Sequence, residues 1–386
     1  TGGLCRRFRF QKIGPVVMAA GKDSDRSAVR LVGLVCAAQV LVQLGAFFWP
    51  ALLPGMMRLW MLTNSEAGWI TAIFYAAYMV SVPVLVTLTD RIDARRVYLF
   101  GVACTVIGHL IFAVWAEGFW SALGARALTG VGWAGTYMTG LKLLADKVDA
   151  KLLSRATTGH AASIGISGAI SFACADALAG IGGWQLAFLT ASATASLAFI
   201  LVVAFVPARG LSPRMAPGGS ALFDFRPVFR NRSSMAYAFA YCIHTLEMNA
   251  LRGWGVAFLG FVATHTGTRT PFWSPTVVLM MLGLVGTLSS VLGNEAAIRF
   301  GRRRLIALAM IASMALALTL GLVGSISYGL AVGLLTLYSM IVWLDSSSLT
   351  AGAAGTAEPS KRGATLAVHS MLGYAGGFVG PLAVGW

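Results

Sequence analysis

Five charged residues stand where charge is hardest to place: Arg126, Asp176, Glu247, Arg252 and Asp345 all lie inside long apolar stretches. Burying a charge in a bilayer costs about 3 kcal/mol or more even on lenient insertion scales, so such residues usually line an interior cavity and mark a pathway. The densest group is Tyr241-Cys-Ile-His244-Thr-Leu-Glu247-Met-Asn249-Ala-Leu-Arg252-Gly-Trp254. His244 and Glu247 are three apart and share a helical face, and a histidine beside a carboxylate can exchange protons near neutral pH. The competing reading is a local hydrogen bond that holds the helix against its neighbours. Arg252 is rotated away from Glu247; with Trp254 it is placed near the outer interface, where snorkelling and an aromatic belt account for both. Asp345, followed by Ser346, Ser347 and Ser348, either lines an aqueous cavity or caps an early helix end. His109, alone in its stretch, reads as a satisfied core residue.

Composition says what must hold these residues. Of 386 residues 57% are hydrophobic and 11% charged, with mean hydropathy +0.76, whereas a soluble domain carries about 25% charged residues. A soluble enzyme is excluded, and so is disorder, which needs low hydrophobicity and high charge. The chain is an all-α polytopic membrane protein. A helix needs about 20 apolar residues to cross, and eleven such windows occur, at roughly 31–53, 69–88, 97–116, 119–144, 161–181, 184–206, 235–261, 275–297, 305–323, 328–350 and 364–386. Gly321, Gly324 and Ser325 divide the ninth from the tenth.

The net charge of +15 would suggest nucleic acid in a soluble chain, but here the basic residues mark topology, and no nucleic-acid partner is expected. With eleven spans, 25 of the 29 Lys and Arg residues fall on one side, while Arg58 and Arg269 fall on the other. Cytoplasmic loops collect such residues, so the N-terminus is predicted to be cytoplasmic, in a cell (inner) membrane. On that topology Arg126 lies ~10 Å below the outer start of the fourth span and Asp176 ~8 Å below the outer surface in the fifth. They share a level on consecutive helices and could pair, either as a static ion pair or as a proton or substrate relay. Residues 1–30 read as a cytoplasmic segment with Met18 near the native start. The odd span count suggests a missing twelfth helix. The polar segment 208–234 reads as a cytoplasmic linker on anionic lipid. Four of the five cysteines sit in apolar stretches without ligand or pairing spacing, and Gly376-Gly377-Phe-Val-Gly380 reads as close helix packing.

The chain also repeats itself. Asp90-Arg-Ile-Asp-Ala-Arg-Arg96 superimposes on Ile298-Arg-Phe-Gly-Arg-Arg-Arg304, pairing Arg91 with Arg299 and Arg95 with Arg303 at a shift of 208 residues. Arg155-Ala-Thr-Thr158 superimposes on Arg362-Gly-Ala-Thr365 at a shift of 207. Two matches agreeing within one residue indicate a duplicated six-span unit.

With these loops the sequence resembles the major facilitator superfamily of secondary transporters, as a bacterial permease-like member lacking the twelfth helix. The stretch Val86-Thr-Leu-Thr-Asp90-Arg91-Ile-Asp93-Ala-Arg95-Arg96 is similar to the family's G-x-x-x-D-R-x-G-x-R-R signature with both glycines replaced; the second copy keeps Gly301 but has Ile298 for the acid. Arg126-Ala-Leu-Thr-Gly130-Val-Gly132 is similar to its fourth-span pattern, while Gly165-Ile-Ser-Gly168-Ala169 lacks the proline of its antiporter signature. The resemblance implies two pseudo-symmetric six-helix bundles, 31–207 and 235–386, that rock about a central cavity. It also implies a coupling role for Arg126, and gating loops formed by Asp90, Arg91, Arg95 and Arg96 with Arg299, Gly301 and Arg303. The expected function is proton-coupled movement of a small solute by a monomer, with Glu247, Asp176 or Asp345 as proton carrier and no cofactor. Arg126 and Arg252 make an anionic solute conceivable. No ATP-binding G-x-x-x-x-G-K-[ST] loop is present. A solute sensor of the same fold and, less favoured, a membrane enzyme are the alternatives; an enzyme would need interfacial catalytic loops, and the loops here are short.

Overall fold

A chain segment in hydrocarbon must satisfy its backbone N–H and C=O groups internally, which leaves the helix as the structure for apolar runs of this length. The computed structural model describes residues 15–89, 91–148, 150–208, 225–268, 271–358 and 361–386. Their helices are α1 (Pro15–Gln43), α2 (Phe48–Leu59), α3 (Asn64–Leu88), α4 (Ala94–Trp115), α5 (Phe119–Lys147), α6 (Ala150–Phe205), α7 (Arg226–Arg230), α8 (Arg232–His265), α9 (Pro275–Phe300), α10 (Arg302–Val323), α11 (Tyr328–Leu344), α12 (Ser346–Thr356) and α13 (Arg362–Gly385). The described residues contain no β-strand.

Short polar signals between the apolar runs start the helices. Thr63 and Glu66 form a reciprocal capping box at the head of α3. Asn231 caps α8, Ser274 precedes Pro275 at the head of α9, and Ser327 caps α11. The two copies of the basic loop begin their second helix differently. Asp93 caps α4 by accepting a hydrogen bond from the Arg95 backbone N–H; its counterpart Gly301 joins α9 to α10 at φ 94°, a conformation that favours glycine.

Among the described residues, eight helices are long and apolar enough to cross a membrane. One of them, within α6, contains two of the expected spans and turns between them at Gly182 and Gly183, the latter at φ 76°. α5 and α8 complete the eleven; they fall short on apolarity because they carry the polar residues discussed below. Two breaks differ from expectation. The first span runs over Ser27–Leu59 and is interrupted at 44–47, between α1 and α2. The tenth is interrupted at Asp345, which ends α11 and begins α12.

α1 to α6 pack together, as do α8 to α13, and the two groups meet along α3 with α13, α6 with α9 and α2 with α8. Large apolar side chains such as Phe100, Ile107, Ile200, Leu288, Leu318 and Leu322 stay exposed around the outside, a surface suited to acyl chains. Contacts between the groups concentrate away from the basic loops. Ser65 Oγ donates to the Gly385 carbonyl at 3.4 Å, Trp69 meets Phe378 edge-on at 5.7 Å, and Tyr78 stacks on Tyr374 at 3.7 Å with its hydroxyl 3.2 Å from Ser370 Oγ. α6 and α9 join in the same half, where Thr276 Oγ1 donates to Asp176 at 2.8 Å.

The glycines of α13 pack as their spacing suggested. A Cβ on Gly376 would strike the Cys242 carbonyl of α8, and one on Gly380 the Leu246 carbonyl. Both obstacles are backbone, so a side chain would have to part the helices, at a cost of about 1–3 kcal/mol. Gly380→Val is therefore expected to lower the thermal midpoint of the detergent-purified protein; an unchanged midpoint would show that α8 and α13 have room to spare.

Candidate functional site

The break in the first span is where side chains from both halves converge. Leu44-Gly45-Ala46-Phe47 leaves the helical path, and its turn is held by Ala46 N–H donating to the Gln43 carbonyl and Phe48 N–H to the Gly45 carbonyl. The Phe47 N–H, which has no helical partner, donates to Ser171 Oγ of α6 at 3.0 Å. Gly45 is needed here, since a Cβ would meet Ala191 and the His109 ring.

Two arginines approach this turn. Arg126 of α5, only 2% exposed, donates from one terminal nitrogen to the Ala46 carbonyl at 3.3 Å and lies 4.5 Å from the Phe74 ring centroid; its Nε has no partner. Arg252 of α8 stands between rings from both halves, 4.9 Å from Phe47 and 4.6 Å from Trp343. Phe47 in turn stacks on Phe172 at 5.4 Å and meets Trp133 edge-on at 6.0 Å.

These positions correct two expectations. Arg126 and Asp176 do not pair: Arg126 faces the 44–47 turn and α3, whereas the exposed Asp176 faces α9 and accepts from Thr276. A common depth on consecutive helices did not put them on facing sides. Nor does Arg252 snorkel to an interface. It packs instead inside the protein against Phe47 and Trp343.

The second constellation lies within α8 to α12. His244 is 3% exposed and so is Asp345. His244 Nδ1 lies 2.9 Å from Asp345 Oδ1, within ion-pair range but off the line a hydrogen bond requires, so Oδ1 has no hydrogen-bond partner. Asp345 sits at the break between α11 and α12, where its side chain makes no capping hydrogen bond, and it lines a cavity. Glu247 and Ser313 of α10 line the same cavity, where Ser313 Oγ donates to the Met310 carbonyl of its own helix at 3.0 Å. His244, Glu247, Ser313 and Asp345 line one cavity of ≈ 10 Å³, room for about one water. His244 and Glu247 thus share a face, as their spacing required. Beyond them, Tyr241 stacks between His244 at 5.6 Å and His369 at 4.2 Å, and His369 Nε2 lies 3.2 Å from Thr350 Oγ1.

The first half holds a matching cavity, also ≈ 10 Å³, lined by Gln43, Ala46, Phe74, Thr105, His109 and Trp133 among others. Thr105 and Ser313 differ by 208 in sequence, as do Trp133 and Ile341, which line the two cavities in turn. The repeat read from the basic loops thus recurs inside the helices. His109 is not the satisfied core residue expected, since its Nδ1 is buried without a partner. Gln43 was passed over, and neither of its buried side-chain amide atoms is partnered. Gln39, Gln43 and His369 are polar residues inside apolar windows, and that is the signal in the sequence that marks them.

Of the gating residues, Asp90 lies outside the described residues. Arg91, Arg96, Arg299 and Arg303 are exposed. Arg95 binds the end of α6, donating to the Val203 carbonyl at 2.8 Å and the Val202 carbonyl at 3.4 Å.

A family model described as Major Facilitator Superfamily matches residues 35–381. "Protein spinster homolog 1" of Bos taurus is 26% identical over 300 residues, covering 73% of this chain and 56% of that protein. The Homo sapiens protein of the same name is 24% identical over 299 residues, with the same coverage of each. The chain thus spans little more than half the length of these curated relatives. Among solved structures, a bacterial homologue of the human lysosomal transporter Spinster, inward-facing and unoccupied, superimposes with a TM-score of 0.75 at 15% identity over 93% of this chain and 82% of the other. The nucleoside transporter NupG gives 0.70 at 14% identity over 91% and 90%.

The buried contact between His244 and Asp345 is open to a double-mutant cycle. His244→Ala and Asp345→Ala should each lower thermal stability, and the double variant should lose less than the sum by about 1 kcal/mol or more. Additive losses would show that the two residues do not interact.

Proposed function

The chain belongs to the Major Facilitator Superfamily, and from that premise we propose that it is a proton-coupled secondary transporter moving a small solute by alternating access. In this reading residues 31–207 and 235–386 are the two moving bodies and 208–234 is the linker between them. The bodies touch along α3 with α13 and α6 with α9, at the ends remote from the basic loops. If the basic loops face the cytoplasm of a cell with its inner membrane crossed eleven times, this arrangement is closed to the outside and poised to open inward. Closing the other end would bring the exposed Arg91, Arg96, Arg299 and Arg303 towards the opposite body, while Arg95 keeps α6 in place.

The observation that carries proton coupling is the cavity shared by His244, Glu247 and Asp345. A carboxylate kept in a membrane interior is costly unless it is paired or protonated, so each proton bound or lost changes which contacts are favourable. Protonation of His244 strengthens its hold on Asp345. Protonation of Asp345 removes that attraction and frees the junction of α11 and α12 to move. Glu247, one turn from His244 and on the same cavity as Ser313 of α10, passes the proton on in this reading. Asp176 has a different part, latching α6 to α9 on the outer side.

Reconstituted protein should accumulate its solute when the lumen and bath differ in pH, the solute being found by counterflow across a panel of organic anions, amino acids and drugs. Glu247→Gln and Asp345→Asn are expected to abolish pH-driven accumulation and to leave counterflow exchange in place. Normal accumulation in both variants would remove these residues as proton carriers. Absence of counterflow for every solute tested would favour a sensor of the same fold.

A further inference from the structure

We propose that Arg126 and Arg252, at the meeting point of the two halves, form the recognition site for a planar organic anion, an aromatic carboxylate being the simplest fit. This deepens the carrier reading and rests on it for transport, although binding can be measured alone. Neither arginine forms an ion pair among the described residues. Arg126 makes a single hydrogen bond, to Ala46, and Arg252 has ring contacts only.

Ring contacts cover the faces of a guanidinium, not its N–H donors, which lie in the plane and point outward from the edge. Arg252 contacts Phe47 and Trp343 and makes no hydrogen bond among the described residues, so its N–H donors are open to a ligand. A carboxylate matches that edge with two parallel hydrogen bonds. Two cations held in a low-dielectric interior without acids are electrostatically incomplete, and an anion brought from outside completes them.

Uncharged groups at the site agree. Gln43, 4% exposed, has neither amide atom bonded and lines the cavity beside Ala46 and Phe74, the two residues that Arg126 contacts. The positive end of α2, which starts at Phe48, adds its partial charge. Aromatic rings adjoin both arginines: Phe74 at Arg126, Phe47 and Trp343 at Arg252, and Trp133 and Phe172 against Phe47. Such surroundings favour a flat apolar body over a small hydrated ion.

The test uses the full chain in detergent and equilibrium binding of radiolabelled benzoate and 2-naphthoate, with benzylamine as the oppositely charged ring and acetate as the anion without one. Both aromatic carboxylates should bind saturably, acetate should bind more weakly and benzylamine not at all. Arg252→Gln should weaken benzoate by about tenfold or more, Arg252→Lys by less, and Gln43→Leu should also weaken it. The exposed Arg58→Gln, which removes a cation far from the site, should not. Should Arg126→Gln fail to fold, the Arg252 and Gln43 variants carry the test. The proposal is overturned if neither carboxylate binds, if benzylamine binds as well as benzoate, or if Arg252→Gln binds like the parent. Benzoate binding without counterflow in proteoliposomes would uphold the site and defeat the carrier reading. Counterflow of a cation or neutral solute without benzoate binding would do the reverse.

Discussion

A hydrocarbon surrounding supplies no hydrogen bonds, so every polar group placed in it must find its partner within the protein. That constraint makes each departure from helix in this chain a structural event with identifiable compensation. At 44–47 the freed Phe47 N–H goes to Ser171 and the Ala46 carbonyl receives Arg126. At Asp345 the interruption falls beside His244 and a water-sized cavity. The two interruptions lie in opposite halves, and the main polar constellations of the interior are built on them.

The halves have kept the same frame and changed its contents. Thr105 and Trp133 line one cavity and Ser313 and Ile341 the other, at the constant separation seen in the basic loops. The first cavity holds amide, hydroxyl and imidazole groups; the second adds two carboxylates. Both carboxylates that line a cavity thus belong to the second half, while Arg126 and Arg252 lie where the halves touch.

The helices were legible because apolar windows bounded by basic loops carry topology directly. The duplication was legible for the same reason, through Arg91 with Arg299 and Arg95 with Arg303. The interruption at 44–47 was not, since Leu, Gly, Ala and Phe are as apolar as the helix they break. Depth along a window placed Arg126 and Asp176 on one level but could not tell which way each faced, and they face different neighbours. Arg252 was misplaced because the rings it packs against, Phe47 and Trp343, come from distant parts of the chain. His244 and Glu247 were found from spacing alone because three residues along a helix fix a shared side. Asp345 depended on which distant helix it would face, which no local pattern reports.

The contact of Arg252 with Phe47 and Trp343 has a mechanical consequence. A hydrogen-bonded ion pair is strong in one geometry and fails when its partners shift sideways, whereas a cation over a ring is held by a broad and shallow attraction. A flat guanidinium lying against flat rings can slide while remaining attached. The seam between the halves is therefore lubricated as well as joined at this point: it opposes pulling apart and yields to shear.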